Sequence, residues 1–199
     1  MTIIPIFPTL LYSCNIPVPK NLIKYTLKLS KEEKGESTSN RGGWHSRYDL
    51  NRDQHFVKNY LNYLGSSLTR ELEDIPLFSF VDMWLNLNRK GDYNIMHNHP
   101  DCHYALVWFI KTPKNCGNLV LQNPTIYNDS SFLKTISENV ADKYLARHTY
   151  TFEPKEGNCY LFPAHLYHLV ESNKSDEDRI SLADNLRFSL TEHKKRSIL

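Results

Sequence analysis

The spacing of apolar residues changes period partway along the chain. Over 19–33, Leu22, Tyr25 and Leu29 fall on one helical face. Over 54–73, Phe56, Val57, Tyr60, Leu61, Leu64, Leu68 and Leu72 recur at three-to-four spacing. Both stretches are expected to be amphipathic helices. Between them, Lys34 to Gly43 (KGESTSNRGG) has the composition of a loop. After Pro76 the period drops to two. Val81, Met83, Leu85 and Leu87 alternate with Asp82, Trp84, Asn86 and Asn88, the pattern of a half-buried strand. Short β-rich runs follow at 93–98, 104–111, 118–122, 148–153, 158–163, 166–171 and 179–190. Most are separated by turn-forming stretches such as PKNCG, EPKEGN and SNKSDED. At 124–146, Phe132, Ile136 and Val140 step by four, which predicts a helical insert. The expected organisation is one domain over 1–199. A helical and extended framing region (1–75) precedes a mainly β jelly roll (76–190), with supporting helices. A flat sandwich fits the same strand signals.

Composition narrows the function classes. The 199 residues are 40% hydrophobic and 23% charged, so the chain is globular and long enough for a core without disulfides. Lys and Arg number 24 against 22 Asp and Glu, a net charge of +2, which gives no reason to expect nucleic acid or an acidic membrane as partner. No apolar run approaches the ~20 residues of a membrane helix. The start, MTIIPIFPTLLYSCNIPVP, lacks a basic segment and is cut by four prolines, so a signal peptide is not expected. Cys14, Cys102, Cys116 and Cys159 form no CxxC pair, and neither a cysteine zinc site nor a disulfide framework is expected. A reducing, cytoplasmic setting is expected. Neither GxGxxG nor GxxxxGK[ST] occurs, which argues against nucleotide-driven chemistry. Nine histidines are the informative excess.

Two segments concentrate them: Met96-His97-Asn98-His99-Pro100-Asp101-Cys102-His103, and Phe162-Pro163-Ala164-His165-Leu166-Tyr167-His168. In extended chain, residues two apart share a face. His97 with His99, or His99 with Asp101, therefore offers two donors to one metal, and a third comes from a distant strand. Two histidines and a carboxylate leave open positions on a non-haem Fe(II) for a co-substrate and O2. Arg179-Ile180-Ser181 follows. A guanidinium grips a carboxylate with two hydrogen bonds and a hydroxyl adds a third, so Arg179 and Ser181 suit the far end of a dicarboxylic co-substrate.

The order HxD, distal His, RxS resembles the Fe(II)/2-oxoglutarate-dependent oxygenases. More narrowly, IIPIFPT, HNHPDCHYALVWFI, GNLVLQNP, GNCYLFPAHLYHLV and RISLADNLRF resemble the small 2OG-Fe(II) oxygenases of marine bacteria and of tailed phages of cyanobacteria. The resemblance spans nearly the whole chain and is weakest at 124–146. It implies a double-stranded β-helix (a jelly-roll, cupin-like fold), Fe(II), 2-oxoglutarate as co-substrate, and O2. Carried over residue by residue, it implies His99, Asp101 and His168 as metal ligands and Arg179 with Ser181 for 2-oxoglutarate. The narrower family carries HxHP, which makes His97 the rival to Asp101, and aspartyl/asparaginyl β-hydroxylase-like relatives manage without the carboxylate. His168 is preferred to His165 because LFPxxxxH and an eleven-residue gap to Arg179 suit the family.

The implied activity is hydroxylation of a peptidyl residue or a small metabolite, with release of succinate and CO2. Substrate selection is expected from the loop at 34–47 and the insert at 124–146. Two other classes fit parts of the pattern. A non-oxidative cupin-like enzyme would hold Zn or Mn, and a jelly-roll binding module would need no metal. Plainer roles also exist for single residues. His45, His55, His148 and His193 read as ordinary core or surface histidines. His103 reads as a solvated loop residue or a partner of a ligand. Arg179 has acidic neighbours in Asp176 and Glu177, and Trp44 reads as lining the site mouth or packing against the barrel.

Overall fold

The structure is a computed structural model and describes residues 8–72, 77–125, 134–144 and 146–189. Strand β1 (Tyr12–Asn15) leads to helix α1 (Leu22–Glu32), which buries Leu22, Thr26 and Leu29. Two-residue strands β2 (Asn40–Arg41) and β3 (Trp44–His45) follow. A continuous helical run then comprises α2 (Gln54–Phe56), a π-type turn (Val57–Leu61) and α3 (Asn62–Glu71). The Asp53 carboxylate starts it, accepting from the Phe56 N–H at 2.8 Å. The run buries Phe56, Tyr60, Leu61, Leu64 and Leu68, the face its periodicity predicts.

The remaining strands are β4 (Phe78–Asn88), β5 (Tyr93–His97), β6 (Tyr104–Lys111), β7 (Leu119–Gln122), β8 (Thr149–Phe152), β9 (Asn158–Pro163), β10 (His168–Val170) and β11 (Arg179–Phe188). They form two antiparallel sheets, ordered β1-β9-β6-β11-β4-β3 and β2-β5-β10-β7-β8. That is the expected mainly β double-stranded β-helix with supporting helices. No helix among the described residues is long and apolar enough to cross a membrane.

Strands β4 and β11 give the larger sheet two faces. Leu85 and Leu87 pair with Leu182 and Ile180. Together with Met83, Leu106, Trp108, Ile110 and Leu161 they pack against the helices in one core. The alternate positions, Asp82, Trp84, Asn86 and Asn88, pair with Asn185, Ala183, Ser181 and Arg179 and face the other way. On that side Ala105, Val107, Phe109, Tyr160 and Phe162 meet Leu119 and Leu121 of the smaller sheet. The inside of the roll is thus closed by apolar residues in one part and lined by polar ones in another.

Several expectations need correction. Strand β4 is half-buried only over Phe78–Asp82: every residue from Met83 to Asn88 is buried, because helices cover one side and the second sheet the other. Part of the expected 34–43 loop is strand, since β2 pairs with β5 through Asn40 and Asn94. Strand β1, which pairs with β9, has no apolar run to reveal it. In the expected insert, α4 (Glu138–Tyr144) buries no residue, and Phe132 lies outside the described residues.

One carboxyl breaks the pattern. Asp184 sits on the helix-facing side of β11 at 0% exposure, and neither oxygen has a hydrogen-bond partner. Burial, with nearby Asp82 adding to it, raises its pKa well above the ordinary value. The folded state therefore holds a proton that the unfolded chain releases, and stability falls as pH rises above the unfolded pKa. Each pH unit in that window costs about 1.4 kcal/mol. Asp184→Asn removes this dependence. In urea unfolding of both proteins, the variant should gain on the wild type progressively as pH rises above about 4. Parallel stability curves would contradict the assignment of a buried, protonated Asp184.

Candidate metal centre

Three histidines meet where two strands of the smaller sheet adjoin. His97 ends β5 and lies opposite His168, the first residue of β10. His99, two residues beyond His97, is held by its N–H to the Ala164 carbonyl at 2.9 Å. One ring nitrogen from each of His97, His99 and His168 lies within 4.8 Å of the other two.

Hydrogen bonds fix how these rings present their nitrogens. Nδ1 of His97 is 2.7 Å from the Ile95 carbonyl, and Nδ1 of His168 is 3.0 Å from that of Leu166. Nδ1 of His99 is 2.6 Å from Oδ1 of Asn185. These oxygens only accept, so each Nδ1 carries the proton and each Nε2 keeps its lone pair. Nε2 of His99 and Nε2 of His168 are 3.3 Å apart. Two lone pairs facing at that distance repel, and a cation relieves them. One ion with bonds of about 2.1 Å reaches both. A proton is a poor substitute. Burial, then the neighbouring imidazoles, lowers the pKa of His99 to about 4 and of His168 to about 3, and burial lowers that of His97. All three are neutral at neutral pH, the state that metal ligation requires.

Aromatic rings fix the ring planes. Trp84 stacks on His99 at 5.6 Å and on His45 at 5.4 Å, each with a 13° interplanar angle. Phe162 meets His168 edge-on at 4.8 Å. His45 is therefore a buried member of this stack, at 2% exposure.

Asp101 does not join the cluster. The extended chain ends near His99, Pro100 opens a turn, and Asp101 adopts φ 67°, which breaks the period-two relation expected between His99 and Asp101. The Asp101 side chain is exposed, and its carbonyl accepts from Nη2 of Arg187 at 2.8 Å. The geometry brings together the HxH pair instead.

Arg179 is 1% exposed and shares the inner face of β11 with Ser181. Its Nη1 donates to the carbonyls of Cys116, Gly117 (3.4 Å) and Glu171 (3.1 Å), while Nη2 is buried without a partner. Burial lowers its pKa to about 10, so it stays charged at neutral pH. The acidic neighbours are engaged elsewhere: Asp176 pairs with Lys90 and Glu177 with Lys111. The turn that forms this cradle requires Gly117, which has φ +85° and whose added Cβ would lie 2.3 Å from the Glu171 carbonyl oxygen.

Other expectations resolve plainly. Trp44 packs in the helix-side core and donates to the Glu33 carbonyl at 2.9 Å. His103 is exposed and accepts from the Phe188 N–H. Sequence reasoning missed Asn185 and Trp84 at the site. Their available signal was polar or bulky residues at the inward positions of two otherwise core-forming strands.

The chain is similar to known proteins in sequence pattern and in fold. A sequence model of the family described as "Putative 2OG-Fe(II) oxygenase" matches residues 82–185, just over half of the chain. No curated protein sequence matches. Among solved structures, the 2-oxoglutarate-dependent epimerase SnoN from nogalamycin biosynthesis is similar with a TM-score of 0.61 and 13% identity, over 88% of this chain and 76% of that one. HygX from Streptomyces hygroscopicus, solved with nickel, 2-oxoglutarate and hygromycin B, gives 0.60 and 9%, over 91% and 84%. A Pseudomonas putida prolyl-4-hydroxylase gives 0.54 and 15%, over 90% and 92%. At these identities the likeness concerns the fold.

The depressed histidine pKa values carry a sign. The folded chain binds fewer protons than the unfolded one between about pH 4 and pH 6.5, so stability is lost as pH falls through that window. The metal-free protein should lose on the order of 3 kcal/mol from His99 alone between those limits. Urea unfolding of His99→Gln against the wild type measures it, and an unchanged slope with pH would contradict it.

Proposed function

Because this chain belongs to the 2OG-Fe(II) oxygenase family and is an Fe(II)- and 2-oxoglutarate-dependent enzyme, we propose that His97, His99 and His168 hold its iron, that Arg179 and Ser181 anchor 2-oxoglutarate, and that it hydroxylates a peptidyl residue or a small metabolite. One observation carries the ligand set: three neutral imidazoles within 4.8 Å of one another, with Asp101 turned out to solvent. The buried, unpartnered Nη2 of Arg179 supports the co-substrate anchor.

Fe(II) and 2-oxoglutarate together supply O2 activation, with succinate and CO2 released as the substrate is hydroxylated. This chain's residues set up that chemistry. Three imidazoles bring no negative charge, so a bound dication keeps its full charge for a dianionic keto acid to offset. Arg179 is clamped by backbone carbonyls, which holds its remaining donor in place before the co-substrate arrives. Ser181 lies one inward step along β11, about 7 Å nearer the histidines' end of the strand. Trp84 and Phe162 pack on the rings of His99 and His168 and shield those faces of the half-buried cluster from water.

The similar folds include a prolyl-4-hydroxylase, an epimerase of nogalamycin biosynthesis and HygX with hygromycin B bound, and a peptidyl residue and a small metabolite are both in keeping with them. The segment 34–47 is well placed for substrate selection. Its β2 joins one sheet, its β3 joins the other, and His45 reaches the Trp84 stack.

Anaerobic titration with Fe(II) and 2-oxoglutarate tests the reading. A visible charge-transfer band should develop only with both present. Zinc retained on purification, with no band, would favour a non-oxidative cupin-like enzyme. Arg179→Ala should raise the 2-oxoglutarate concentration needed at least about 30-fold, from the ~2–5 kcal/mol lost with a buried charge pair. An unchanged requirement would remove Arg179 from the site.

A further inference from the structure

We propose that Asn185 and Asp82 are positioning residues that set the tautomer of His99, so that its Nε2 lone pair is turned toward the metal. The proposal rests on the reading of His97, His99 and His168 as ligands.

The three histidines reach the same tautomer by two routes. His97 and His168 each sit two residues after the carbonyl that accepts their Nδ1 proton, so nearby backbone makes the selection. His99 lies beyond the end of β5 and takes its acceptor from a side chain 86 residues away, Oδ1 of Asn185. That is a less secure arrangement, because an amide presents an acceptor or a donor depending on which way it is turned. With the amide reversed, its NH2 would face Nδ1. Nδ1 would then have to accept, and the proton would move to Nε2, where it blocks ligation.

Asp82 removes the ambiguity. It is the cross-strand partner of Asn185, and its Oδ2 accepts from the Asn185 Nδ2 at 3.2 Å. A carboxylate has no proton to give, so the NH2 end of Asn185 must face Asp82 and the oxygen end must face His99. Stacking on Trp84 fixes the plane of the His99 ring, and Asn185 fixes which nitrogen carries the proton. Neither residue touches the reacting atoms. They act through His99, as partners behind a metal ligand commonly do.

Two readouts test this: metal affinity from Co(II) titration against a chelating competitor, and the tautomer of each histidine from 15N NMR of the metal-free protein. The wild type should show His99 protonated on Nδ1. Asn185→Leu should weaken Co(II) binding about 10- to 100-fold and leave His99 in mixed tautomers, with His168 unchanged. Asn185→Asp, which keeps an acceptor facing Nδ1, should restore affinity to within about threefold of wild type. Asp82→Asn should fall between, because the Asn185 amide is then free to reverse. The proposal is overturned if wild-type His99 carries its proton on Nε2. It is also overturned if Asn185→Leu leaves affinity and tautomer unchanged, or if Asn185→Asp is as weak as Asn185→Leu. Should Asn185→Leu not fold, the wild-type tautomer and the other two variants still decide. Failure of the wild type itself to bind metal would strike the three-histidine reading, and the metal-free tautomers would report on Asn185 and Asp82 separately.

Discussion

The pairing of β4 with β11 is the constraint on which the rest of the molecule depends. Ten residues of each strand are in register, from Arg179 opposite Asn88 to Phe188 opposite Phe78, with one irregularity after Asn185. Because side chains alternate, this one ladder separates two environments. Met83, Leu85, Leu87, Ile180 and Leu182 hold the helices on one side. Arg179, Ser181, Trp84, Asn185 and Asp82 line the other. A one-residue slip would exchange the two sets and dismantle the core and the site together.

The site also depends on backbone acceptors. Carbonyls of Ile95 and Leu166 orient two imidazoles, and carbonyls of Cys116, Gly117 and Glu171 clamp Arg179. These groups are fixed by strand and turn geometry, so the donors are set before any ligand arrives. Preorganisation of this kind lowers the cost of binding a metal and a charged co-substrate. His99 is the exception, served by a side chain because it stands outside regular structure.

Much of this was legible in the chain. The helix at 54–71 and the strands after Pro76 follow directly from period. The polar half of the Val81–Leu87 alternation already marked the inner face, although it read as solvent-facing. Period shows that two faces differ, and cannot show that a second sheet covers the polar one. His97, His99, His168 and Arg179 were all singled out from residue type and spacing. The preference for Asp101 came from the resemblance to the HxD order of the wider family, which needs the extended chain to continue past His99. Pro100 and a left-handed Asp101 end it, and that conformation is not encoded in donor spacing. Asn185 and Asp82 were invisible as a pair, because only the register between strands 103 residues apart sets them side by side.

The central claim is a metal held by three histidines with no carboxylate, and the most direct measurement separates the two rivals. Fe(II) and 2-oxoglutarate would be titrated anaerobically into Asp101→Ala and into His97→Ala, following the charge-transfer band. The account predicts that Asp101→Ala develops the wild-type band at wild-type stoichiometry and that His97→Ala loses it. The reverse, a band lost with Asp101 and kept without His97, would contradict the account and return the carboxylate to the metal.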